Sequence, residues 1–320
     1  MGDTVSLKIN DISITVPTGT SIKDAASRLD FSIPTLCFHE DLCVAGNCRI
    51  CVVEQKDRRA LLAACATPAE DGMDIHTNSL KVRQARKHIV ELLYSEHAGD
   101  CATCYRGGNC ELQDLAHEYI FDTPSFLDIS RDRPIDRLSP AIVKDDGKCI
   151  RCQRCVRTCA EIQSVGALTA AHKGRHMGIE TFFDKPLHYT GCTLCGQCVV
   201  HCPTGALVER NYIEEVWRAL GDGTRHVVVQ TAPAVRVALA EAFGAEAGER
   251  VTGRMVAALR RLGFDRVFDT NFSADLTIIE ESHELLARLA EGATPPMITP
   301  CSPGGVKVVA HEYPDILPPL

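Results

Sequence analysis

No run of eighteen or more apolar residues occurs in the 320-residue chain, so no segment reads as a membrane span. The formal net charge is −8, and no basic patch marks a nucleic-acid partner. The N-terminus lacks the basic start, apolar core and small-residue cleavage site of a secretory leader. A twin-arginine signal is missing too, and both absences point to the cytoplasm. No Gly-x-Gly-x-x-Gly follows a strand-like run, so the chain carries no dinucleotide fingerprint, and NAD or flavin is expected on a partner. Cysteine is scarce in the last third, where Cys301 stands alone after Cys202.

Before that point cysteine is abundant: sixteen of seventeen precede residue 203. A leaderless chain of this length is a poor disulfide framework, so metal ligation is the expected use. The length suits several small domains, and the abrupt end of the cysteines puts a boundary near Asn211.

Residues 4–16 alternate apolar and polar side chains around Asn10-Asp11, which predicts a β-hairpin. Thr20-Ser21 caps a short helix through Leu29, and a strand is expected over 50–54. Val82, Ala85, Ile89, Leu92 and Leu93 predict an amphipathic helix over 80–94. Residues 119–147, with Pro124, Pro134 and Pro140, read as a connecting loop. CIRCQRCVRTC (149–159) and CTLCGQCVVHC (192–202), each soon followed by Gly-Ala-Leu, are an internal duplication. Beyond Asn211, HVVVQTAPAV predicts a buried strand, then a helix through Phe243 and a second strand over 266–269. The closing residues show no cap or terminal element.

Three constellations carry the chemistry. The first is Cys37, Cys48, Cys51 and Cys65, with Gly46-Asn47 beside the Cys-x2-Cys pair; small residues there let backbone amides approach cluster sulfurs. A 2Fe-2S cluster suits this set. Cys43 gives an equally good plant-type spacing, so spacing leaves Cys37 and Cys43 open. The second set is His97, Cys101, Cys104 and Cys110. One imidazole and three thiolates also make a structural zinc site, and only the neighbouring cluster sets favour iron. The third is the duplicated run. In two-cluster bacterial ferredoxins the fourth cysteine of each run serves the other cluster. Cys149, Cys152, Cys155 and Cys202 are therefore expected to hold one 4Fe-4S cluster, and Cys192, Cys195, Cys198 and Cys159 the other. Pro203 follows the second run, but Ala160 follows the first.

The order of these sets resembles the N-terminal half of modular iron-only (FeFe) hydrogenases. Residues 1–210 are also similar to the iron-sulfur subunits of NAD-linked hydrogenases and of complex I. The resemblance implies an α+β multidomain chain in five parts. These are a β-grasp 2Fe-2S ferredoxin-type domain (1–79), a small helical segment holding a 4Fe-4S cluster through one histidine and three cysteines (80–120) and a linker (121–139). A double 4Fe-4S bacterial-ferredoxin-like domain (140–210) and a partial α/β hydrogenase-type domain (211–320) complete it. The Leu-Cys-Phe context at 36–38 implies Cys37 as the first 2Fe-2S ligand. The double-cluster region is read as favouring hydrogenase over complex I.

QTAPAVRVALAEAFG (230–244), FDTNFSADLTIIEE (268–281) and PMITPCSPGGVK (296–307) resemble the start of the hydrogenase catalytic domain. Aligned on Pro303, Cys301 takes the family's proton-relay position, while Ser302 replaces a cubane cysteine. No further cysteine follows, so no catalytic H-cluster is expected in this chain alone. The resemblance implies one 2Fe-2S and three 4Fe-4S clusters in an oxidoreductase component that transfers electrons. Expected partners are a flavin/NAD(H)-binding diaphorase-type subunit or soluble ferredoxin, with or without a catalytic subunit. The alternatives are a fragment or split form of an active hydrogenase, a redox or hydrogen sensor, and a diaphorase or formate-dehydrogenase subunit.

Overall fold

The structure is a computed structural model and describes residues 3–99, 101–120, 126, 133–292, 296–299 and 302–317. It is mixed α+β and divides into two compact units, Met1–Arg210 and Asn211–Leu320.

In the first unit, β1 (Thr4–Ile9) and β2 (Ile12–Pro17) form the expected antiparallel hairpin. Asn10 (φ 48°) and Asp11 (φ 66°) both take left-handed backbone, the demand of a two-residue turn whose twist matches the strands. α1 (Ile22–Ser27) follows, with the Ser21 hydroxyl accepting the Asp24 N–H. β3 (Val52–Gln55), β4 (Leu62–Ala63) and β5 (Asp74–His76) complete a mixed sheet of order β2-β1-β5-β3-β4, in which β1 and β5 run parallel. The strand expected at 50–54 starts two residues late because Arg49 (φ 64°) is still turning the cysteine loop. Leu7, Ile9, Val16, Ile22, Val53 and Ile75 form the core, and Cys51 and Cys65 are buried in it.

α2 (Leu80–Ser95) starts on a Ser79 cap, and α3 (Glu111–Tyr119) packs on it. Of the expected stripe on α2, Val82 is buried and Ile89 and Leu93 pack against the core, but Leu92 is half exposed, and the fully buried residues also include Arg86, Val90, Glu91 and Ser95. The Arg86 guanidinium donates to the Val52 carbonyl (2.9 Å) and the Tyr119 hydroxyl (3.3 Å), tying the helix to β3 and α3. Leu36 and Ile50, which flank the first cysteine set, pack with Val90, Leu112 and Leu115 in a second core. Leu112→Ala is expected to lower stability by about 2–5 kcal/mol through the cavity it leaves. Anaerobic urea unfolding followed by circular dichroism should show this, and an unchanged midpoint would mean that α3 is not anchored there.

Of the expected connection at 119–147, residues 121–125 and 127–132 lie outside the described residues. The rest is partly ordered sheet: β6 (Ile135–Asp136) and β7 (Ile142–Asp145) pair antiparallel, and β10 (Leu207–Glu209) flanks β7. The prolines hid strands this short. Between them lie α4 (Arg154–Arg157), β8 (Thr169–Ala171), β9 (Gly178–Glu180) and α5 (Gln197–Val200).

The second unit contains α6 (Ile213–Gly221), then β11 (Val228–Thr231) and β12 (Arg266–Asp269) as a parallel pair. α7 (Val235–Ala242) and α8 (Thr252–Leu262) lie between these strands. β11 is not the buried strand the apolar run suggests: Val228 is half exposed and only Thr231 is buried, because the described sheet has just two strands. α9 (Thr270–Ala290) starts on an Asp269 cap and buries none of its residues. A terminal element does exist: α10 (Pro303–Glu312) has Pro at its first turn, where no intrahelical donor is lost. Among the described residues no helix is long and apolar enough to cross a membrane.

Candidate metal centres

Four thiols converge where the first core meets the cysteine loop. Cys37, Cys51 and Cys65 are buried, Cys48 is half-buried, and the Cys51 and Cys65 sulfurs lie 3.3 Å apart. The contact with Cys48 pulls the Cys37 thiol down, and that between Cys51 and Cys65 pulls Cys51 down. Their partners Cys48 and Cys65 are driven up by the same contacts. So crowded a set of sulfurs fits a cation that would take the protons' place. Cys43 is elsewhere: it is exposed, its thiol donates to the Glu161 carboxylate (2.9 Å), and this contact raises its pKa. Arg157 spans the loop, donating to the carbonyls of Cys37 (2.5 Å) and Cys43.

The duplicated runs fold alike. At corresponding positions Arg151 (φ 58°) and Gln153 (φ 62°) match Leu194 (φ 59°) and Gly196 (φ 76°). These left-handed turns aim amides inward: the Arg151 N–H donates to the Cys149 sulfur and the Leu194 N–H to the Cys192 sulfur, both at 3.4 Å. Each loop then enters its helix, α4 or α5. The runs part at the fourth cysteine. With Ala160 in place of proline the chain continues from α4 into a π-helical turn, Thr158–Ile162, whereas α5 ends at Val200 before Cys202-Pro203.

The four sulfurs around each cavity come from both runs. Cys149, Cys152, Cys155 and Cys202 line one, with Ile179 and Leu207; Cys159, Cys192, Cys195 and Cys198 line the other, with Leu168 and Leu187. Burial pushes the thiols of Cys149 up to about 11 and of Cys152 and Cys198 up to about 12, and raises Cys155 further. Within apolar walls, such sulfurs fit a bound group with several metal positions. Because the protons must leave, assembly should release them and gain strength as pH rises.

The three cysteines of the remaining set lie close together at the start of α3. Cys110 is the N-cap of α3 and lies within electrostatic reach of Cys104 and Cys101. Gly107 is required by close packing, since a Cβ there would sit 2.5 Å from the Cys101 carbonyl oxygen. His97 is buried; burial lowers its pKa, and its Nδ1 has no hydrogen-bond partner. A neutral imidazole with an orphaned ring nitrogen fits a metal ligand. Asp100 and Cys301 lie outside the described residues, so the proton-relay position has no structural account.

Several residues tie these sets together, a role their sequence context does not announce. The Asn47 amide donates to the Cys152 carbonyl (3.5 Å), Arg106 to the Cys202 carbonyl (3.0 Å), and the Glu111 N–H to the Pro203 carbonyl (3.0 Å). Arg154, buried, makes a two-pronged pair with Glu111 at 2.6 and 2.9 Å. Gly205 lets the turns meet, since a Cβ there would fall 2.7 Å from the Cys104 sulfur. Arginines inside the cysteine runs were the available hint.

Family models match in series along the chain. Residues 2–80 match a 2Fe-2S iron-sulfur cluster binding domain, 86–124 the NADH-ubiquinone oxidoreductase-G iron-sulfur binding region, and 139–208 the ferredoxin-like domain of NADH-quinone oxidoreductase subunit 3. Residues 225–320 match the iron only hydrogenase large subunit, C-terminal domain. The family matched over 139–208 is a complex I one, while two hydrogenases that align with 97–98% of the chain span the same region.

The chain is 46% identical to NADP-reducing hydrogenase subunit HndD of Solidesulfovibrio fructosivorans, over 98% of this chain and 55% of that protein. It is 36% identical to iron hydrogenase 1 of Clostridium pasteurianum, over 97% and 54%. It is 35% identical to the NADH-ubiquinone oxidoreductase 75 kDa subunit of Reclinomonas americana, over 65% and 30%. The chain thus spans about half the length of the first two relatives. Among solved structures, an NAD+-reducing [NiFe]-hydrogenase in the H2-reduced state aligns with TM-score 0.60 and 29% identity, over 64% of this chain and 87% of that one. These relatives are oxidoreductase components, and the chain, with its iron-sulfur cluster binding domains, is related to the iron-only hydrogenases and to the 75 kDa subunit of NADH-ubiquinone oxidoreductase.

Proposed function

We propose that this chain is the iron-sulfur electron-transfer subunit of a hydrogenase-family or NAD(P)H-linked oxidoreductase complex, holding one 2Fe-2S and three 4Fe-4S clusters. Once bound, those clusters would supply one-electron transfer. The reading is supported above all by the duplicated runs, whose eight cysteines line two cavities in crossed groups of four. Cys37, Cys48, Cys51 and Cys65 would hold the 2Fe-2S cluster in a β-grasp domain over 1–79. His97, Cys101, Cys104 and Cys110 would hold a 4Fe-4S cluster within 80–120. Past a linker over 121–139, the crossed sets of the duplicated runs would hold two more within 140–210.

The set Cys149, Cys152, Cys155 and Cys202 adjoins both of the first two. Asn47, next to Cys48, reaches the Cys152 carbonyl, and Arg106, between Cys104 and Cys110, reaches the Cys202 carbonyl. The chain's own residues thus make that set a junction, and the 2Fe-2S and His97 sets two arms. A diaphorase-type partner is favoured by the relatives that reduce NADP or NAD+. Residues 211–320 would be the hydrogenase-type part, and their match favours a second reading, a portion of an active iron-only hydrogenase.

Anaerobic purification with iron, sulfide and zinc assays tests both. The electron-transfer reading expects about fourteen irons per chain, reducible signals in electron paramagnetic resonance (EPR) and no hydrogen evolution. Hydrogen evolved by this chain alone would decide for the second reading. Zinc at the His97 set would remove it from the conductor.

A further inference from the structure

Two histidines that no cluster set uses meet beside the 2Fe-2S loop. His39 follows Cys37 by two residues, His201 directly precedes Cys202, and their ring centroids are 4.6 Å apart with planes tilted by 58°. The Asp41 carboxylate lies 3.5 Å from His39 Nδ1. One nitrogen of each imidazole and one Asp41 oxygen all fall within 4.8 Å of one another. His201 is buried, and its Nδ1–H donates to the Gln197 carbonyl at 2.8 Å. That bond fixes the tautomer and leaves Nε2 as the free lone pair, the arrangement by which a second partner orients a metal-binding imidazole.

We propose that His39, Asp41 and His201 form a mononuclear site for a divalent transition-metal ion, Zn2+ or Fe2+, separate from the four cluster sets. Two imidazoles and one carboxylate are a donor set these ions accept, and water completes the shell. Asp41 is exposed, which leaves that side open to solvent. His39 would exchange a weak contact for the ion, since Nδ1 now accepts only the Asp41 N–H at 3.3 Å. The ligands come from separate pieces of the chain, the loop after Cys37 and the residue that ends α5. A bound ion would therefore pin the 2Fe-2S loop to the duplicated-run region.

The test is calorimetric titration of ZnCl2, and separately of ferrous ion, into chelator-treated, cluster-loaded protein under anaerobic conditions. One ion per chain should bind without loss of cluster iron. His39→Gln, His201→Gln and Asp41→Asn should each weaken binding by about tenfold or more, as loss of even a ligand's outer partner can. Asp41→Asn alters an exposed side chain, so its effect stands even where the buried His201 variant misfolds. No uptake of either ion, equal uptake by Asp41→Asn and wild type, or uptake only with matching release of iron would overturn the proposal and leave the histidines a packing contact.

Discussion

Cys202→Ala should strip about four irons from the protein, and Cys149→Ala added to it should strip no more. Both residues line the same cavity, with Cys152 and Cys155, although 202 belongs to the other run. Cys202→Ala combined with Cys192→Ala should remove about eight irons, because Cys192 lines the second cavity with Cys159, Cys195 and Cys198. Were each run to serve its own cluster, the two double variants would trade results. The backbone favours crossing: α5 ends before Cys202, and the turn that follows lies against Lys148, whose carbonyl accepts the Thr204 hydroxyl at 2.9 Å. Cys159 is reached from its own side, its sulfur accepting the Ala167 N–H at 3.3 Å. Iron analysis of four purified proteins decides the matter.

The cysteine spacings and the local folds around them are legible in the sequence because they depend on neighbours along the chain. Asn10-Asp11 announces the hairpin, the apolar spacing from Val82 to Leu93 announces α2, and the equal spacing of 149–159 and 192–202 the two matching loops. What the sequence did not carry depends on residues far apart. Arg86 looks like a solvated charge on α2 until β3 offers the Val52 carbonyl, and it is then buried beside the apolar stripe. Arg157, Asn47 and Arg106 become connectors only once residues roughly a hundred positions away are beside them. The short strands β6 and β7 were masked by prolines that flank them without interrupting either. In the second unit 252–262 carries Met255, Leu259 and Leu262 at helical spacing, a legible signal, whereas the helix of 270–290 buries none of its residues.

Cys37→Ala should abolish the reduced 2Fe-2S signal and lower the iron content by about two, whereas Cys43→Ala should leave both unchanged. Spacing cannot separate these residues, but the loop between them does. Arg157 donates to both carbonyls, fixing the two ends of the loop. With the ends held, Cys37 turns its side chain into the protein, fully buried, where its thiol meets those of Cys48 and Cys65. Cys43 turns outward, exposed, and its thiol donates to Glu161 instead of meeting the other sulfurs. EPR of dithionite-reduced variants with iron counts gives a direct answer. If Cys43→Ala lost the signal and Cys37→Ala kept it, the loop would have to invert when the cluster assembles. Arg157→Met would then be expected to ease that inversion rather than impair it.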